Sequence, residues 1–340
     1  SWSNLTNLTG TYQAITPDIN VAADGHAYVV WQNYGDSTFK IAGSGDCGVT
    51  WNSPSPKTLT SRNGDWKNNL ISQCQRGVST QPMVDVDRAP SSSFYGRVYV
   101  GLWMFNSSCT TAAGWSCSNW DANWSNTCNY DFHLMYSDNN GSTWSGPYNI
   151  TSGDGSRVDN FMGYMRVDEA DGSIYVGYHR SRLSPASATD RRKTNFFVTR
   201  SIDGGSTWER AQASSYEGDE RLSGASTFER GDYHGIAVYE GVTWPVWIDR
   251  RGGGGEEEIV VRKMCSEPSH WTERDPTYAA PATVCSDGGG GTVDVSWDSP
   301  DIYWGDGGES TSSRKYQLWV DGGLAEDNIS WSAKSTNYNP

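Results

Sequence analysis

Two short segments concentrate the side chains that do proton and anion chemistry. Tyr178, His179, Arg180 and Arg182 lie in one run, and Asp232, Tyr233 and His234 in another. Asp249, Arg250 and Arg251 form a third cluster. Arg pairs a carboxylate in bidentate fashion, while His, Tyr or Asp moves a proton within hydrogen-bond reach. Trp31 and Trp103 offer flat apolar faces on which a sugar ring stacks. Taken together, His179, Tyr178, His234, Tyr233 and Asp232 for proton transfer and Arg180, Arg182, Arg250, Trp103 and Trp31 for binding describe a site for acidic or complex carbohydrate. The same types would serve a polysaccharide lyase, in which His or Tyr removes a proton beside a uronate and Arg neutralises its carboxylate. A plainer reading stands beside both. Trp31, Trp103 and Tyr178 alternate with apolar residues as core positions do, and Asp249 with Arg250 and Arg251 can be a salt-bridged strand end. That reading makes the protein a non-catalytic extracellular surface or assembly scaffold.

The elements that must hold these residues recur along the chain. Each of four units reads strand, tight turn, aromatic strand, loop, strand, turn, strand. The first two strands and the third fall at 17–21, 27–31 and the run before 44; then at 81–86, 97–103 and 132–136; at 163–167, 173–178 and 195–199; and at 235–238, 243–248 and 258–262. Antiparallel order puts the start of a first strand and the end of a second strand on one face. The turn between the third and fourth strands falls on the other. All the candidates above, together with Asp18, Asp159, Asn160 and Tyr164, therefore converge on a single rim around a central channel.

The turn itself carries a signature. The pattern S-x-[D/N]-x-G-x-T-W occupies 44–51, 137–144 and 201–208, with Asp46, Asn139 and Asp203 at its third place and Trp51, Trp144 and Trp208 at its end. An Asp or Asn side chain accepts backbone N–H groups across such a turn, Gly takes a positive φ, and Trp packs back between sheets. The pattern resembles the Asp box, the bacterial neuraminidase repeat of sialidase-like β-propellers. The resemblance covers 15–271, and the stretch 231–250 looks like the terminal repeat of secreted sialidase-like proteins. It implies an all-β propeller, a carbohydrate partner and an extracellular or cell-surface location. Sialidases also carry an Arg-Ile-Pro phrase near the first inner strand. Here that place reads Ile15, Thr16, Pro17 and Asp18, without Arg, so the sialidase residues do not carry over one by one.

Composition agrees with a many-turned β protein: among 340 residues there are 38 Gly, 17 Trp and 18 Tyr. A net charge of −14 excludes a nucleic-acid binder and an anionic membrane surface as partners, since both need clustered Lys and Arg. No apolar run reaches membrane-spanning length, and the chain opens at Ser1 as a mature terminus would. Blade edges leave self-association open. No cofactor is called for and no site residue is assigned to a metal. The acidic groups Asp85/Asp87 and Asp168/Glu169/Asp171 offer oxygens to a structural calcium but lack ligand-loop spacing.

Two regions resist the repeat. The insertion 105–129 carries Trp115, Trp120, Trp124 and three of the seven Cys, and reads as a disulfide-tied loop or a sugar-stacking platform. Cys47 with Cys74 and Cys265 with Cys285 are the expected pairs elsewhere. Residues 1–275 are expected to form the propeller. The segment 276–340 is expected to be its last blade, closed by a strand from 1–10, or a partial fibronectin type III-like module. Five four-stranded blades are expected on the first alternative, with six as the other count.

Overall fold

The computed structural model describes residues 6–9, 13–51, 57–61, 67–68, 70–73, 77–105, 129–154, 157–182, 186–187, 191–219, 230–231, 234–250 and 257–265, together with four strands beyond 292. The first blade is the antiparallel sheet β1 (Ala14–Val21), β2 (Ala27–Asn33), β3 (Thr38–Ser44) and β4 (Lys57–Ser61). A two-residue ladder, β5 (Lys67–Asn68) with β6 (Val78–Ser79), leads to the second. That blade holds β7 (Pro82–Val86), β8 (Val98–Phe105), β9 (Tyr130–Ser137) and β10 (Ser145–Asn149). The third has β11 (Asn160–Val167), β12 (Ile174–Ser181), β13 (Lys193–Ser201) and β14 (Glu209–Gln212), with β15 (Gly218–Asp219) extending the outer edge against β13. The fourth comprises β16 (Gly235–Tyr239), β17 (Val242–Asp249), and a third strand broken into β18 (Glu258–Val261) and β19 (Met264–Cys265).

The protein is thus an all-β propeller with four blades among the described residues, not the five or six expected. Two reasons account for the overcount. Residues 6–9 form no strand, and among the described residues the later strands β20 (Val293–Ser296), β21 (Lys315–Val320), β22 (Gly323–Ser330) and β23 (Ser335–Tyr338) pair as β20 with β23 and β21 with β22. The remainder of 276–340, the insertion 106–128 and the decayed fourth turn after Cys265 lie outside the described residues.

Period-two alternation places half of each strand's side chains in the seam with each neighbouring blade. Tyr28, Val30, Phe39 and Ile41 meet Val84, Val98 and Val100 between the first two blades. Trp103, Phe132 and Leu134 meet Phe161, Met165 and Tyr178 in the next seam, and Tyr175, Phe196 and Val198 meet Ile236 and Trp247 in the last. Inner-strand carboxylates pin successive blades: Asp18 accepts the Val84 N–H at 3.0 Å, and Asp85 accepts that of Val167 at 2.8 Å. Asp168 takes the Gly241 N–H at 2.7 Å in the same manner. These carboxylates are spent on backbone donors. Among the described residues no group of three or more His, Cys, Asp or Glu is placed to hold a metal ion.

The three turns share one geometry. Asp46, Asn139 and Asp203 accept the N–H of Thr50, Thr143 and Thr207 at 2.7–2.8 Å. Ser44, Ser137 and Ser201 each accept the turn glycine's N–H at 2.9 Å, and those glycines sit at φ of 82°, 77° and 95°. Hydrogen bonds from Thr50 hold the Asp46 carboxyl down at about 2. Trp51, Trp144 and Trp208 are half-buried rather than buried. Trp144 and Trp208 lie at seam margins, and each indole N–H reaches back to its own turn glycine at 3.1 Å. Each of these two turns also grips the blade before it: Lys57 donates to Ser142 O, and Arg97 to Gly204 O at 3.1 Å. Cys47, within the first turn, is an exposed free thiol, so the expected bridge to Cys74 is not formed. Cys285 and the three insertion cysteines lie outside the described residues.

Candidate functional site

On the face opposite the turns, the ends of β8 and β12 and the starts of β9, β11, β13 and β16 bring ionisable groups together. They do not form one depression. Along β12 the side chains alternate, so Tyr178 and Arg180 point toward the second blade while His179 points toward the fourth. Two polar seams result.

In the seam between blades two and three, Arg180 donates to Asp154 Oδ1 at 2.8 Å, and Arg210 donates to the same oxygen at 2.5 Å. Asp154 ends a single 3-10 turn at Ser152–Asp154 that bridges β10 to β11. Nearby, Arg191 clasps Asp159 with two hydrogen bonds of 3.0 Å, both groups being buried. Asp131, at the head of β9, accepts from Thr151 Oγ1 (2.8 Å), Asn149 (2.9 Å), Asn160 (3.2 Å) and Asn129 (2.5 Å). Burial nevertheless pushes the Asp131 carboxyl above its ordinary range, with the Asp154 charge adding to the shift. The Tyr178 phenol is pushed up to about 12 by burial.

In the seam between blades three and four, His179 Nε2 and His234 Nε2 stand 2.9 Å apart, so one ring donates and the other accepts. Phe161 and Phe196 flank His179, and Phe196 stacks on Trp247 with centroids 4.8 Å apart. Burial, then the Arg230 charge, holds His179 well below the usual imidazole range and His234 down at about 3. The pair is neutral at physiological pH. Gln73 donates to Arg230 O at 2.6 Å, tying the pre-second-blade loop to this seam.

Several expected site residues fall elsewhere. Trp103 is buried, packed against Phe132 and Tyr178, and its indole donates to Gly163 O at 3.2 Å. It is core and has no free face for a sugar. Trp31 is also buried, beneath residues 6–9 at a shallow depression of about 280 Å³ on the first blade. Tyr178, Arg180 and Arg250 are buried, not solvated, because the strand ends are covered on this face. Arg182 stays exposed and is clamped by Glu217 at 2.9 and 3.0 Å. Arg250 reaches Glu257 at 4.0 Å. Asp232, Tyr233 and Arg251 lie outside the described residues. Asp18 and Tyr164 meet across the channel, the phenol donating to the carboxylate at 3.0 Å.

The residues missed are Asp131, Asp154, Arg191, Arg210 and Arg230. Asp131 opens a third strand, and the strand-order argument extended to third-strand starts would have found it. Asp154 and Arg230 sit in linkers between blades, where the repeat supplies no register.

No protein-family model matches the chain, and no curated protein does. Among solved structures the chain is similar to the α-L-arabinanase of Penicillium chrysogenum complexed with arabinobiose, at 16% identity and a TM-score of 0.44, covering 78% of this chain and 69% of that one. It is similar to the α-L-arabinofuranosidase of Fusarium graminearum with arabinobiose at 14% identity and a TM-score of 0.41, covering 78% and 66%. A Hadza microbial sialidase is similar at 16% identity and a TM-score of 0.43, covering 76% and 47%. The chain therefore spans just under two thirds of the Fusarium enzyme's length and about half of the sialidase's.

Proposed function

We propose that this protein recognises or processes a carbohydrate on the propeller face opposite the turn hairpins, at the two polar seams flanking β12. One observation carries the reading. Asp154 Oδ2, Asn160 Oδ1, His179 Nδ1 and His234 Nδ1 are buried there without a hydrogen-bond partner among the described residues. Leaving such an atom unpaired costs about 1–3 kcal/mol, so this group of them on one face supports a polar occupant. A sugar, with a donor and acceptor on nearly every carbon, matches that demand. Arg180 and Arg210, meeting at one carboxylate oxygen, bias the seam toward an acidic glycan. The neutral His179–His234 pair is the proton-handling group of the reading. The three turns are Asp boxes in this account, serving as staples and not as chemistry. The natural setting is outside the cell or at its surface, where such glycans lie.

A second reading has its own support. Arg180 with Asp154 and Arg191 with Asp159 pair internally, as a load-carrying scaffold would arrange them. Titration of the wild type, Arg180→Ala and His234→Gln with a panel of neutral and acidic oligosaccharides separates the two. Binding that both substitutions weaken supports the glycan site. No binding by the wild type, with both substitutions costing stability only, supports the scaffold. Absorbance of unsaturated uronate in the same reactions would identify a lyase.

A further inference from the structure

We propose that the outer face of the fourth blade is the docking site for the chain's own C-terminal segment, residues 266–340. Strands β8 and β12, in the second and third blades, are buried at every position. Strand β17 is buried only at alternate positions. Its buried half, with Trp247, faces the third blade. The other half is equally apolar and carries Trp244, Val246 and Ile248. Ile259 and Val261 pair with Ile248 and Val246 in register, which puts them on this same face. They are 82% and 60% exposed, and Tyr239 at the inner edge is 58% exposed. An unbroken sheet face of Tyr239, Trp244, Val246, Ile248, Ile259 and Val261 is what a blade presents to a neighbour, not to water.

The occupant is fixed by connectivity and by need. The chain leaves this very sheet at Cys265 and continues to Pro340. Its strands β20/β23 and β21/β22 are two-stranded ladders, and a lone two-stranded ladder is marginally stable at best. In sequence, Val293, Val295 and Trp297 alternate with Asp294 and Ser296, the half-apolar pattern of a strand that packs on one side. A tethered segment also meets the face at an effective concentration in the millimolar range, well above that of a second molecule in dilute solution.

Limited proteolysis and sedimentation of the full chain test this, for the wild type and for the double substitution Ile259→Asp, Val261→Asp. The expected wild type is monomeric and resists cleavage across 293–338, whereas the double variant stays monomeric and loses that resistance. Cleavage of 293–338 at the same rate in both proteins would overturn the proposal. A wild-type dimer that the double substitution splits would also overturn it, by making a second copy the occupant. Should the double variant fail to fold, the wild-type digest still decides, because an undocked segment is cut first and a docked one is not.

Discussion

Replacing Trp103 with Ala separates a core residue from a sugar platform, since the two roles predict opposite phenotypes. The indole is fully enclosed in the seam between blades two and three, 4.6 Å from Phe132 and 5.6 Å from Tyr178 between ring centroids. Truncating an enclosed Trp to Ala costs about 3–5 kcal/mol in lost transfer energy and cavity formation. The indole N–H also satisfies the Gly163 carbonyl, whose loss inside the seam adds about 1 kcal/mol. Backbone cannot close the gap: a methyl at Gly163 would come within 2.0 Å of Gly177 O, so β11 and β12 are already in close contact there. The expected total is about 4–6 kcal/mol, and Trp103→Phe, which keeps a ring, should recover about half. Urea denaturation with an unchanged slope reads the difference as a shift in midpoint. A loss below about 1 kcal/mol together with abolished glycan binding would place Trp103 in a binding surface and refute the packing argument.

Three further outcomes follow from the same geometry. Gly205→Ala should cost more than Gly25→Ala, by about 1–3 kcal/mol in thermal or urea melts; both glycines have positive φ, but only at Gly205 would the methyl meet a neighbour, Leu134 Cδ2, at 2.6 Å. Asn139→Asp should be neutral to about 0.5 kcal/mol, because Asp46 and Asp203 already take their threonine hydroxyls in the same place that Asn139 donates to Thr143. The histidine pair should make folding acid-sensitive: folded His179 and His234 titrate below the ordinary value of 6.5, so their contribution is complete above that pH and falls as pH drops toward about 3. With both sites unprotonated when folded and protonated when unfolded, the slope approaches about 2.7 kcal/mol per pH unit, and His234→Gln should make it shallower.

What the sequence disclosed was local, and what it withheld was long-range. The turn residues Ser201, Asp203, Gly205 and Thr207 bond one another within a span of six positions, so a pattern search sees them whole. Arg191 and Asp159 are 32 positions apart and join only after two strands and a loop have folded. The tryptophans were ambiguous for a different reason. Trp103 sits in a strand buried on both faces, and such a strand shows no polar alternation to tell a core ring from an exposed one. The cluster at 178–182 looked like one site because its members are adjacent in sequence. Adjacent positions on a strand face opposite ways, and the fold divides Tyr178 and Arg180 from His179 accordingly.

The most direct test of the carbohydrate reading is hydrogen exchange of the wild type, with and without saturating members of a neutral and acidic oligosaccharide panel. Slowed exchange is expected at the end of β12, around His179–Ser181, and at the start of β16 near His234, with an acidic member giving the larger effect. Exchange across the three turns at 44–51, 137–144 and 201–208 should not change. Protection confined to those turns, or no change anywhere with any oligosaccharide, would contradict a glycan site on this face.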